Sequence, residues 1–247
     1  METNEMTSKS TSPVIEARGL TKAFGNNLAL RGIDISVNKG ERLVVFGPNG
    51  AGKTTLVKIL STLVKPSSGN VLLNGIDIRS NPAQVRRIIA LVSHQTFLYD
   101  DLTIYENLKF YGKMYDVLDL DKRIGEVISW AQLESRRHDR TGTLSRGMQQ
   151  RASIARAILH SPSILLLDEP ETGLDPDASA MIADIINGKG NDSRTVVMTS
   201  HNLERGLELS DRVIILDRGK IVYQADKKDL DTEDFRQVYD SFTGVKR

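Results

Sequence analysis

The chain has 247 residues, 39% of them apolar, which is enough to bury one substantial core within the size range of a single α/β domain. Its 33 Lys and Arg offset 32 Asp and Glu, so no net field draws it to nucleic acid or anionic lipid. It has no cysteine, which excludes disulfides, thiolate metal sites, iron–sulfur ligation and cysteine nucleophiles, and suits the reducing cytosol.

Residues 1–12 are polar, lack the apolar stretch of a secretory signal, and read as a short disordered tail before one domain over 13–247. From 14 to 78, β-prone pieces at 14–17, 33–37, 42–46, 71–73 and 76–78 alternate with Gly and Asn turns. Helical patterns follow at 53–63, 82–89, 104–114, 122–132 and 147–160, the last with Met148, Ala152, Ala155 and Leu159 on one face. Apolar strands come next at 164–167, 195–199 and 213–216. Continuous apolar strands separated by helices predict a parallel sheet covered on both faces. No apolar run approaches the roughly 20 residues that span a bilayer, so membrane contact is expected only through a partner. No repeat of 20 to 50 residues is present. The charged residues after Gln224, about 225–247, read as a terminal helix or tail.

Gly47-Pro48-Asn49-Gly50-Ala51-Gly52-Lys53-Thr54 has the spacing G-x-x-x-x-G-K-[ST], preceded by an apolar strand and followed by the helical Leu56–Leu60 stretch. Its glycines let backbone N–H groups curl around phosphate oxygens, and the helix beginning near Lys53 points its positive end at the anion. Lys53 is expected on the β- and γ-phosphates, Thr54 on Mg²⁺ and Thr55 on the α-phosphate. The loop predicts a bound magnesium nucleoside triphosphate. Further on, Ile164-Leu165-Leu166-Leu167 runs into Asp168-Glu169, placing two carboxylates at the carboxyl end of a buried strand, where open α/β sheets bind ligands. Asp168 suits a metal and Glu169 a proton-accepting role toward water attacking the γ-phosphate; acidic residues also commonly cap the helix after a strand.

Between these motifs lies Leu144-Ser145-Arg146-Gly147-Met148-Gln149-Gln150-Arg151, and with it the chain, from about 14 to about 224, resembles the nucleotide-binding subunits of ATP-binding-cassette (ABC) systems. The resemblance implies a P-loop NTPase core of the RecA-like kind, with a parallel sheet, an N-terminal antiparallel β subdomain and an α-helical subdomain inserted at about 96–160. It places Phe24 against adenine, Gln95 on the metal and the attacking water, Asp175 in a D-loop-like Gly173-Leu174-Asp175 among the nucleotide-binding residues, and His201 on the γ-phosphate. Ser145 and Gly147 would offer a hydroxyl and N–H groups to the γ-phosphate held by a second subunit. The signature departs from the common L-S-G-G-Q form at Arg146 and Met148, which bears on the strength of that composite site.

With one phosphate loop and one signature per chain, the resemblance implies two ATP molecules between head-to-tail subunits, identical or related, hydrolysed in the dimer. It also implies separate transmembrane permease subunits, contacting the segment 94–103, and a position on the cytoplasmic face of a membrane. The wording of the signature is most similar to ABC-2 and haem-exporter-like ATPase subunits, which points to export. The alternative is a soluble ABC ATPase without a transporter, such as an iron–sulfur assembly component. Only 91 residues separate Lys53 from Leu144, too few for a long coiled-coil insertion, and the balanced charge disfavours nucleic-acid partners.

Overall fold

The computed structural model describes residues 12–170, 176–187 and 194–244. In chain order, β1 (Ile15–Phe24) and β2 (Asn27–Val37) form a hairpin, β3 (Arg42–Phe46) leads through a glycine loop into α1 (Lys53–Leu60), and β4 (Ser68–Leu73) and β5 (Ile76–Asp77) return beside the hairpin. Then come α2 (Pro82–Ile88), β6 (Ile89–Val92), α3 (Ile104–Met114), α4 (Leu120–Trp130) and α5 (Arg146–Ile158). The chain continues with β7 (Ile164–Asp168), α6 (Pro176–Ile186), β8 (Thr195–Thr199), α7 (Leu203–Leu209), β9 (Arg212–Asp217), β10 (Lys220–Asp226) and α8 (Thr232–Thr243). One sheet is antiparallel, in the order β2-β1-β4-β5. The other runs β10-β9-β3-β8-β7-β6 and is parallel except for its β9–β10 edge. This is the predicted parallel-rich core with an antiparallel β subdomain.

Each central strand is apolar on both faces, and alternate residues feed different cores. Leu43, Val45, Ile164, Leu166, Ile214 and Leu216 pack with α1 and the antiparallel sheet. Their neighbours Val44, Phe46, Leu165, Leu167, Val213 and Ile215 pack with the helices of the opposite side. Each such side chain contributes about 1.5–3 kcal/mol on burial, and a one-residue slip would exchange the two sets, so register is held from both faces. The long stretch between β6 and β7 carries α3, α4 and α5, of which α3 opens on a Thr103–Glu106 capping box.

The structure corrects several boundaries. Residues 89–92, read as the end of a helix and its aftermath, are the edge strand β6, paired in parallel with β7; a four-residue apolar run carries no period that separates strand from helix. The first predicted helix stops at Leu60 and not at residue 63, because Thr62 enters the left-handed region. The β1–β2 hairpin is longer than the pieces 14–17 and 33–37, and α6, α7 and β10 were not predicted. The terminal segment does form a helix: Phe235 of α8 is fully buried, its ring centroid 5.2 Å from that of Phe46. The tail 1–11 and the Gly173-Leu174-Asp175 loop lie outside the described residues.

Candidate functional site

The loop after β3 and the first turn of α1 form the floor of a cleft of about 430 Å³. Gly47 and Gly52 have φ of 150° and 109°, and there is no room for a side chain at either: a Cβ would lie 2.1 Å from the Leu216 carbonyl oxygen at Gly47 and 2.6 Å from that of Ala29 at Gly52. Gly52 is the N-cap of α1 and supplies no side-chain cap, so the first-turn N–H groups of Lys53, Thr54 and Thr55 face the cleft without a side-chain acceptor. Lys53 is almost fully buried, and its Nζ donates to the carbonyls of Gly47 at 2.7 Å and Pro48 at 3.2 Å. Burial pulls its pKa down, while the charges of Glu169 and Asp168 act in the opposite sense.

The second half of the site comes from strands β7 and β8, which lie side by side with Asp168 opposite Thr199. The Thr199 hydroxyl donates to Asp168 Oδ1 at 2.9 Å and accepts the Glu169 N–H at 2.9 Å, so one side chain holds both acidic residues. Asp168 Oδ1 also accepts from Thr54 Oγ1 at 3.2 Å, which joins the acidic strand end to the phosphate loop. Glu169 has φ of 49°, an uncommon conformation for a residue with a side chain. Its Oε1 lies 2.5 Å from His201 Nε2 and 3.8 Å from Lys53 Nζ. The structure thus brings together Gly47 to Thr55, Asp168, Glu169 and His201, drawn from three parallel strand ends.

Phe24 lines the cleft beside Pro48 and Asn49, half-exposed, with Lys22 Nζ 4.8 Å from its ring centroid. Five lining residues were missed from the sequence: Asn27, Leu28, Ala29 and Arg31 of β2, and Arg218 of the β9–β10 turn. That turn is tied to the phosphate loop, since Gly219 N–H donates to Ala51 O at 2.9 Å and Gly219 O accepts from Arg31 N–H at 2.8 Å. Its Asp217-Arg218-Gly219 wording is a hairpin signal that could have been found. Thr199 was also missed.

Gln95, Ser145 and Gly147 are not part of this cleft. Gln95 lies beyond the end of β6 with its side chain exposed, its backbone N–H on Ser93 Oγ at 3.2 Å. Ser145 is exposed at the N-cap of α5, where its Oγ accepts from Met148 N–H at 3.3 Å, and Arg146 beside it is exposed too. Because the Ser145 hydroxyl acts as an acceptor there, its proton is available to an incoming oxygen.

Thr199→Val keeps the shape of its side chain and removes both hydrogen bonds. The expected cost is about 1–3 kcal/mol, because Asp168 and the Glu169 N–H each lose a partner in a buried strand end. Denaturant unfolding checks this; an unchanged midpoint would show that the hydroxyl does not hold the carboxylates.

The oxygens around Thr54 and Asp168 are a hydroxyl and a carboxylate, hard donors of the kind that Mg²⁺ takes while leaving sites for phosphate and water. Among the described residues there is no group of three or more His, Cys, Asp or Glu that could hold a metal unaided. The hydroxyl and carboxylate of Thr54 and Asp168 fit a Mg²⁺ ion.

Residues 30–172 match the family described as ABC transporter. The chain is 36% identical over 219 residues to the linearmycin resistance ATP-binding protein LnrL of Bacillus subtilis, covering 88% of this chain and 70% of that one. Its fold is similar to cbiO1 from Clostridium perfringens, part of the ABC transporter complex cbiONQ, with a TM-score of 0.76 and 26% identity over 92% of this chain and 94% of that one. It is also similar to the ATP-binding cassette MJ0796, seen as a dimer in a post-hydrolysis state with ADP and Pi, with a TM-score of 0.78 and 28% identity over 87% of this chain and all of that one.

Proposed function

The chain belongs to the ABC transporter family as an ATP-binding, ATP-hydrolysing protein, and we propose that it is the motor subunit of an exporter whose membrane-spanning part is a separate chain. The observation that carries the mechanism is the separation of the phosphate cleft from Ser145 and Gly147. The cleft gathers the phosphate loop, Lys53, Thr54, Thr55 and Glu169, yet the exposed N-terminus of α5, with a hydroxyl proton to give, is outside it. A second subunit laid head to tail supplies that helix end to the γ-phosphate, as the dimeric form of MJ0796 supports. Asp175, which lies outside the described residues, is assigned to nucleotide binding by the resemblance alone.

Within each site Phe24 stacks on adenine, Gly47 to Gly52 wrap the phosphates, Lys53 neutralises the β- and γ-oxygens, and Thr55 holds the α-phosphate. Thr54 and Asp168 would hold Mg²⁺, which would offset the charge developing on the phosphates; Gln95, outside the cleft in this structure, would join them once the segment after β6 moves toward the nucleotide. Glu169 accepts the proton of the attacking water, and His201, already on Glu169, turns to the γ-phosphate. ATP favours the closed dimer, and hydrolysis favours reopening, through the difference in affinity between the two states.

Among the described residues no helix is long and apolar enough to cross a membrane. The partner reading is supported by cbiO1, which is part of a transporter complex, and export by LnrL, a resistance protein. The chain then works at the cytoplasmic face, its segment 94–103 turned to the membrane subunit. Purification of the tagged chain from detergent-solubilised membranes tests this, with one or two membrane-spanning chains expected in stoichiometric amounts. Recovery without any membrane protein, with undiminished ATPase, would sink the transporter reading in favour of a soluble ABC ATPase such as an iron–sulfur assembly component.

A further inference from the structure

The aromatic ring that lines the phosphate cleft has one of its faces already taken. Lys22 Nζ stands over Phe24, 4.8 Å from the ring centroid, and the same nitrogen donates to Lys65 O at 2.9 Å. The ammonium is thereby anchored between the ring and the turn that follows α1. Neighbouring bonds hold the same two segments together: Ala23 N–H donates to Ser67 Oγ at 3.0 Å, and Ser67 N–H donates to Thr21 O at 2.9 Å. Phe24 is half-exposed and lines the cleft, whereas Lys22 is no part of the cleft wall. The ammonium therefore covers a face of the ring without entering the cleft.

Every nucleobase has a π face, so an unsupported ring stacks with little preference and can offer either side. A cation on one face changes this. It excludes the base from that face, and it draws π-electron density toward itself, which lowers the negative potential that the opposite face presents to the π electrons of an incoming base. The Lys65 carbonyl adds a further effect, because a half-exposed Phe side chain loses rotamer freedom when a base stacks on it. A ring already pinned by a tethered ammonium has less to lose. These effects act on the base alone, since the phosphate loop has its own cation in Lys53.

We propose that Lys22 is a positioning residue for the nucleotide base: by occupying one face of Phe24 while held by Lys65 O, it fixes the ring for stacking on its cleft side and raises the affinity for a nucleotide over that for the bare phosphate chain. This rests on the reading of Phe24 as the ring that stacks on adenine, and adds the residue that prepares that ring. Because the base is unchanged during hydrolysis, the stack is the same in the ground and transition states, so Lys22 acts on KM and leaves kcat alone.

Calorimetric titration of the full chain with MgATP and with magnesium tripolyphosphate, which has no base, tests this. Lys22→Met keeps the length of the stem and removes the charge; it is expected to weaken ATP binding by about two- to fivefold, to leave tripolyphosphate binding unchanged, and to raise KM with kcat unaltered. Lys22→Arg, which restores a cation over the ring, is expected to recover the ATP affinity. In a Phe24→Leu chain, Lys22→Met is expected to have no further effect on ATP, because the ring through which it acts is gone. Equal weakening of ATP and tripolyphosphate would make Lys22 a general attractor of phosphate, and an undiminished effect in the Phe24→Leu chain would make its role structural; either overturns the proposal. So does an unchanged ATP affinity in Lys22→Met while Phe24→Leu alone weakens ATP. An unchanged ATP affinity in Phe24→Leu alone sinks the stacking reading, and this proposal with it.

Discussion

Glu169→Gln is expected to leave the affinity for MgATP nearly unchanged, to reduce steady-state hydrolysis by about a hundred- to ten-thousand-fold, and to accumulate an ATP-bound dimer. Gln preserves the volume and the contact with His201 but cannot take the proton of the attacking water. Binding survives because the phosphates are held by the backbone of Gly47 to Gly52 and by Lys53, and Lys53 keeps Asp168 as a nearby opposite charge. Size-exclusion chromatography with and without ATP, alongside phosphate release, checks both halves of the expectation. Turnover near the wild-type rate would remove Glu169 from the role of general base, leaving it as a group that holds His201 in place.

Ser145→Arg is expected to abolish ATPase activity while the isolated subunit still binds ATP with almost normal affinity. Its side chain lies outside the cleft of its own chain, so an effect on hydrolysis without an effect on binding locates it in the site of the other subunit. The substitution also removes the N-cap of α5, and that cost decides how the result is interpreted. Losing the bond from Met148 N–H lowers stability by about 1 kcal/mol, which in a domain of this size moves Tm by about 2–4 °C. A parallel Ser145→Ala variant carries the cap loss without the bulk and should hydrolyse ATP better than the Arg form. Equal loss of ATP binding by the isolated Ser145→Arg subunit would point to misfolding.

The two experiments separate what one chain does from what two do. If Glu169→Gln traps a dimer and Ser145→Arg prevents one, hydrolysis belongs to the composite site. Arg146, where the signature departs from its common form together with Met148, is exposed on the first turn of α5 beside Ser145.

The phosphate loop was legible from the chain because its strand, glycine turn and helix are contiguous, and the forces that shape it act over a dozen residues. The same holds for the apolar strands, whose two-sided hydrophobicity announced a covered parallel sheet, and for Asp168 and Glu169 at the end of one of them. Phe24, Gln95, Asp175, Ser145, Gly147 and His201 were reached through family resemblance. Of these, Phe24 lines the cleft and His201 contacts Glu169 there, Asp175 lies outside the described residues, and Gln95, Ser145 and Gly147 stand apart from the cleft.

What the chain alone could not disclose are contacts between residues far apart in it. Thr199 meets Asp168 across 31 positions only because β7 and β8 pair in that register. Arg31 and Arg218 reach the cleft because the β9–β10 turn is hydrogen-bonded to both the phosphate loop and β2. The four residues of β6 become a strand only when β7 offers a ladder to join. Helical periodicity in α5 marked an apolar face and said nothing of Arg156, whose burial follows from how α3, α5 and the segment after β6 pack together. Local propensity and motif spacing therefore determined the nucleotide site and the fold class. Tertiary packing alone decided which distant hydroxyl holds the carboxylates and that Arg156 is buried against two rings, because both depend on pairing energies that no short stretch of chain contains.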